Sequence, residues 1–209
     1  MYSQNMHKNI LSQSQTDLLP LIGSFGREYY LVGGTAIALY LGHRRSIDFD
    51  LFKYAAINHK KNLDKIRAFN APFTITRRVS EQMNLTINEV KITFFEYPFK
   101  VNLTARLDRY IKLPSLIDLA AMKAYALGRR SKWKDYVDLF FLIRDFYSID
   151  AIACRAEEIF GELFSHKLFR AQLSYFEDID YTEEVDYLVT APTNAEIKDF
   201  LIDKAIRII

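Results

Sequence analysis

Two adjacent glycines, a threonine and two aspartates one residue apart define the chemistry open to this chain. Residues 29–52 read YYLVGGTAIALYLGHRRSIDFDLF. Gly33 and Gly34 interrupt an apolar run. Without Cβ atoms they let the backbone turn sharply and come close to a ligand. A helix opening at Thr35 would present backbone N–H groups and the positive end of its dipole, which suits phosphate. Asp48 and Asp50 alternate with Ile47, Phe49 and Leu51, so in a strand both carboxylates lie on one side. A hard, oxygen-seeking ion such as Mg²⁺ or Mn²⁺ relieves their repulsion. A phosphate cradle beside paired carboxylates could hold a nucleoside triphosphate and activate an attacking oxygen. Each half has a plainer account alone: Gly-Gly is often only a turn, and an acidic strand edge can simply face water.

Placing these residues side by side takes a particular order of elements. Hydrophobic periodicity predicts a helix over 8–23, a buried strand over 29–32, and a helix over 35–41 that ends at Gly42. A strand over 47–52 and a helix over 58–69 follow. Three more strands are expected at 73–79, 83–87 and 90–97, with Asn88-Glu89 as a tight turn. Pro98 and Pro114 then punctuate the chain. Beyond residue 115 helical spacing dominates, with helices expected over 116–128, 135–147, 150–164, 166–175 and 194–208. Asp150 and Thr193 are the expected N-caps. The reading is an α+β fold, with the α/β domain over 1–108, a helical domain over 109–209, and the change of character between 105 and 114.

The 209 residues include 16 Phe and 13 Tyr, enough apolar mass for a real core. A net charge of +2 does not mark a nucleic-acid binder in bulk. Local cationic clusters stand out instead: Arg44-Arg45, Arg77-Arg78, and Arg129-Arg130 with Lys132 and Lys134. The lone cysteine, Cys154, excludes an internal disulfide and a cysteine-rich zinc site. It fits a reducing cytoplasm. Neither a signal-peptide core nor a membrane-length apolar run is visible, so a soluble intracellular protein is expected.

A second block, DLAAMKAYALGRRSKWKDYVDLFFLI at 118–143, adds a cation and two acids. Lys123 lies on an otherwise apolar helix and could counter a triphosphate, although a lone lysine usually rests its stem on the core. Asp135 and Asp138 share a helix face. Asp135, in the first turn, also suits the dipole. Asp138 lies deeper, before LFFLI, where an unpartnered carboxylate is costly; it is therefore the favoured catalytic acid. His43, beside two arginines, reads as structural, and His166 and Cys154 as packing or surface residues.

Gly-Gly, a spacer and Asp-x-Asp resemble the signature of the DNA polymerase β-like nucleotidyltransferases. The contexts LVGGTAIALYLGHRRSIDFDLF and Lys123 … Lys134-Asp135-x-x-Asp138-Leu139 are similar to the AbiEii/AbiGii toxin family over nearly the whole chain. That resemblance implies a nucleotidyltransferase-type mixed sheet with flanking helices before an all-helical half. It implies transfer of a nucleoside monophosphate from an NTP, often to tRNA ends, and growth arrest when a cognate antitoxin is missing. Asp48 and Asp50 would hold Mg²⁺, while Gly33, Gly34, Thr35, Ser46 and Asp135 would meet the nucleotide. Lys123 would counter its charge, Asp138 would orient or deprotonate the acceptor, and the arginine clusters would face RNA. One departure stands out: Thr93 occupies the position where many such enzymes carry a third metal-binding acid. It keeps open a second class, a nucleotide- or RNA-binding module without the reaction. A protein hydroxyl or an aminoglycoside-like small molecule is the remaining acceptor option.

Overall fold

The computed structural model describes residues 6–127, 129–130 and 132–207. They form two compact units, the first ending at Ser115 and the second starting at Leu116. The first is built on a seven-stranded mixed sheet of order β3-β4-β5-β2-β1-β7-β6. Its elements are α1 (Gln13–Phe25), β1 (Tyr30–Val32), α2 (Gly33–Leu41), β2 (Phe49–Lys53), α3 (His59–Ala68), β3 (Phe73–Val79), β4 (Gln82–Ile87), β5 (Val90–Glu96), β6 (Leu103–Leu107) and β7 (Ile111–Pro114). The second contains α4 (Leu116–Leu127), α5 (Trp133–Asp145), α6 (Ile149–Phe160), α7 (His166–Leu173) and α8 (Asn194–Ile206).

Strand β2 is central, antiparallel to β1 and parallel to β5. Its alternation does what the sequence predicts: Phe49 and Leu51 are buried, with Ile92 and Phe94 as their neighbours on β5. Leu85 and Met83 continue those rows on β4. A cluster of edge-to-face rings, Phe25, Tyr29 and Phe94, with centroids 4.8 to 6.0 Å apart, packs α1 onto this face.

Several expectations shift. The N-terminal helix is not continuous over 8–23. A single 3₁₀ turn, Lys8–Ile10, precedes α1, which starts where Ser12 and Gln15 cap each other reciprocally. Helix α2 starts at Gly33, two residues before Thr35. Asn88 and Glu89 both take positive φ, 49° and 66°, as a tight β4–β5 hairpin turn requires, despite the missing glycine. Strands β6 and β7 have no counterpart in the elements expected from the sequence. They extend the sheet beyond β1 through parallel pairing of β7 with β1, so the first unit runs past residue 108. Helix α6 is capped by Ser148, whose hydroxyl accepts from Ala151 N, rather than by Asp150. Thr193 does cap α8, boxed with Glu196. No helix among the described residues is long and apolar enough to cross a membrane.

Candidate active site

Helix α2 leaves β1 through Gly33, whose φ of 72° lies in the left-handed region that favours glycine. The turn is also closed on both sides by charged side chains. A Cβ on Gly33 would fall 2.2 Å from Asp50 Oδ2, and one on Gly34 would fall 2.7 Å from an Arg44 terminal nitrogen. A carboxylate and a guanidinium therefore lie directly against this backbone. Arg44 is only 3% exposed, so it belongs to the wall of the turn rather than to an RNA-facing surface cluster. Its guanidinium also donates to Arg45 O at 2.9 Å. The N-cap position, Val32, has no side chain able to cap α2.

Thr35 and Ser46 tie this turn to the acidic strand. Thr35 is buried; its hydroxyl donates to Asp48 O and lies 3.0 Å from Ser46 Oγ. Gln15 Nε2 donates to Ser46 O at 2.9 Å and is fully buried in doing so. The sequence does not mark Gln15 as a site residue, and it marks Arg44 only as part of an RNA-facing cluster. Nothing in the polar stretch around Gln15 marks it, whereas Arg44 stands in the Gly-His-Arg-Arg-Ser run between the two motifs. Gly33→Ala should cost about 1–3 kcal/mol of stability through backbone strain and displacement of Asp50. Gly34→Ala should cost less, because the group it meets is the end of a flexible side chain. Thermal melts of the two variants check this ordering.

Asp48 lies one residue before β2, and Asp50 lies within it. The burial alternation, with Asp48 and Asp50 half-buried and Phe49 buried, runs through that start. Asp50 pairs across the sheet with Val32 and with Thr93. Thr93, the residue at which the family resemblance leads one to expect a third acid, is thus the β5 neighbour of Asp50, and it is buried. Among the described residues no group of three His, Cys, Asp or Glu side chains is arranged to hold a metal. Two carboxylates still suit Mg²⁺, which is commonly bound by one or two carboxylates together with substrate phosphates.

In the second unit, Lys123 on α4 meets both acids of α5. Its Nζ lies 2.7 Å from Asp135 Oδ1 and 2.9 Å from Asp138 Oδ2. Arg130 adds two hydrogen bonds to Asp135, at 2.7 and 3.0 Å. Lys123 is 4% exposed and Asp138 0%, so these expected site residues form a buried, charge-balanced cluster. Burial pushes the Asp135 carboxyl up, but Lys123 and Arg130 outweigh it and hold it below the ordinary aspartate range. The helix-dipole account of Asp135 therefore gives way to a direct ion pair.

The remaining candidates fall into place quietly. His43 is buried. His166 pairs with Glu157 at the surface, and Cys154 is exposed. Arg129 stacks on Tyr125, 3.5 Å from the ring centroid. Arg77 and Arg78 are exposed on β3.

Comparison with known proteins gives a consistent result. The family model described as Nucleotidyl transferase AbiEii toxin, Type IV TA system, matches residues 22–207. An uncharacterized protein of Aquifex aeolicus (strain VF5) is 31% identical over 143 residues, 64% of this chain and 68% of its own. Among solved structures, MenT4, a nucleotidyltransferase toxin from Mycobacterium tuberculosis H37Rv, aligns with a TM-score of 0.61. Its identity is 15%, over 92% of this chain and 80% of its own. JHP933 from Helicobacter pylori aligns with a TM-score of 0.51 and 17% identity, over 71% and 75% of the two chains. At such identities the solved structures speak for the fold alone.

Proposed function

Because the chain belongs to the AbiEii family of nucleotidyltransferase toxins, we propose that it transfers a nucleoside monophosphate from an NTP to RNA, with tRNA as the acceptor. The observation that carries this reading is the Asp50 carboxylate held against the Gly33 backbone at the start of α2. In the reaction an acceptor hydroxyl attacks the α-phosphate in line. The new bond joins that oxygen to the α-phosphorus, the bond to the bridging oxygen breaks, and pyrophosphate leaves. Gly33 and Gly34 let the triphosphate approach the first turn of α2. Arg44, already against Gly34, offers a fixed positive charge. Thr35 acts by holding the main chain of Asp48 in place, and Ser46 by meeting the Thr35 hydroxyl. Asp48 and Asp50 would hold Mg²⁺ or Mn²⁺, which supplies neutralisation of phosphate charge when bound.

Lys123, Asp135 and Asp138 enter this reading by residue type: a cation for phosphate, a carboxylate at the nucleotide, and a carboxylate to take the acceptor proton. Their mutual ion pairs mean that each is already oriented by the others. A toxin of this kind also implies a cognate antitoxin and an intracellular site of action. Thr93 beside Asp50 favours one rival, a module that binds NTP without turning it over.

Incubating the protein with each of the four labelled NTPs, Mg²⁺ and total tRNA tests the proposal. The expected result is a labelled tRNA band with matching pyrophosphate release. Saturable NTP binding without pyrophosphate release would replace it with the binding module.

A further inference from the structure

Strand β3 is an edge strand, paired only with β4, and its residues are almost all exposed. Its register with β4 shifts between Ile75 and Arg77. Up to Ile75↔Leu85 the pairing is regular; beyond the shift Arg77 pairs with Asn84 and Arg78 with Met83. Without the extra residue at Thr76, Arg77 would have faced the buried row that contains Met83. The bulge instead turns Arg77 onto the opposite face of the sheet, and β-bulges recur where a side chain must be re-aimed beside an active site.

On that face Arg77 continues a lateral row. Arg77 pairs with Asn84, Asn84 with Thr93, and Thr93 with Asp50. Three strand spacings separate the ends, roughly 14 Å. Exposed Lys91, two residues before Thr93, lies on the same face by alternation. Two residues further along from the row, Phe52 and Phe95 pair with each other, half-buried, with ring centroids 5.1 Å apart. Cations, an amide and aromatic rings thus share the sheet face that carries the acidic end.

We propose that this face is the acceptor track: the 3′ end of a single-stranded RNA lies across β4 and β5, with its phosphates on Arg77 and Lys91 and a base on the Phe52–Phe95 rings. The inference rests on the nucleotidyltransferase reading and deepens it by naming where RNA sits. Charge complementarity argues for RNA over a docked peptide, since two cations and stacking rings match phosphates and bases. Glu81, on the β3–β4 turn, is an anion in electrostatic reach of Arg77 and would oppose the phosphate.

Arg78 supplies the control, because it carries the same charge one residue away on the other face. The test is fluorescence anisotropy of a short 5′-fluorescein-labelled single-stranded RNA with the full chain, without NTP, across a salt series. Arg77→Glu should weaken binding about tenfold and flatten the salt dependence by about one phosphate contact. Arg78→Glu should change affinity less than about threefold. In turnover, Arg77→Glu should raise KM for RNA and leave kcat near the wild-type value. Equal losses in both variants would mean bulk charge only; no loss in either, or no RNA binding by the wild type, would equally overturn the track. Pyrophosphate release measured in parallel keeps the two questions apart: if it persists while Arg77→Glu behaves like Arg78→Glu, only the track is lost.

Discussion

An Asp48→Asn protein is expected to lose nucleotidyl transfer by about a thousandfold or more while keeping its fold. The substitution removes one of the two carboxylates available to an ion and preserves side-chain shape. The fold should survive because Thr35 hydrogen-bonds to the main-chain carbonyl of Asp48, which asparagine retains. Asp48 is also half-buried and precedes β2, so no strand pairing depends on it. Thermal melts should move by only a few degrees, and circular dichroism should be unchanged. If the variant transfers labelled nucleotide at the wild-type rate, the assignment of Asp48 is wrong.

Lys123→Met should be strongly destabilising to the second unit, costing about 3–5 kcal/mol. The methionine matches the lysine stem but leaves Asp138, fully buried, without its cation at 2.9 Å. Asp135 keeps Arg130 and is less affected. Adding Asp138→Asn should recover part of the loss, because a neutral amide costs less to bury than a carboxylate that has lost its lysine. The pH dependence should weaken as well. In the wild type the Asp135 carboxyl is depressed when folded, so its stabilisation is present above the unfolded aspartate value of about 3.9 and is lost as pH falls through the lower folded value. Lys123→Met removes one of the two cations that hold the Asp135 carboxyl down, so this acid-labile contribution should be smaller in the variant. Urea denaturation at pH 7 and at about pH 3 checks both points; a cost below about 1 kcal/mol would mean the cluster is not held by Lys123.

The central strand and the glycine turn were legible because each carries a local signature. The Ile-Asp-Phe-Asp-Leu alternation matches a strand with one buried side, and Gly-Gly after an apolar run marks a strand-to-helix turn. The partners of those residues were less visible. Gln15 and Arg44 reach the site through tertiary hydrogen bonds and close packing, which leave no periodic trace. Strands β6 and β7 escaped because β6 lies at the sheet edge with mostly exposed residues and β7 is only four residues long, ending in proline. Lys123 and Asp138 were recognisable as a pair of motifs, but their mutual burial was not. From sequence each looked like a group awaiting a ligand; in the fold each has the other. The Thr76 bulge is a further case, since strict alternation would have assigned Arg77 and Arg78 to the wrong faces.

The central claim is that the glycine turn and the two aspartates handle the α-phosphate of an NTP. Parallel reactions with α-³²P- and γ-³²P-labelled NTP, using the wild type and Asp48→Asn with total tRNA, test it most directly. The account predicts acid-stable label in RNA from the α-labelled NTP only, and almost none with Asp48→Asn. Label transferred from the γ-position, or α-label undiminished in Asp48→Asn, would contradict it.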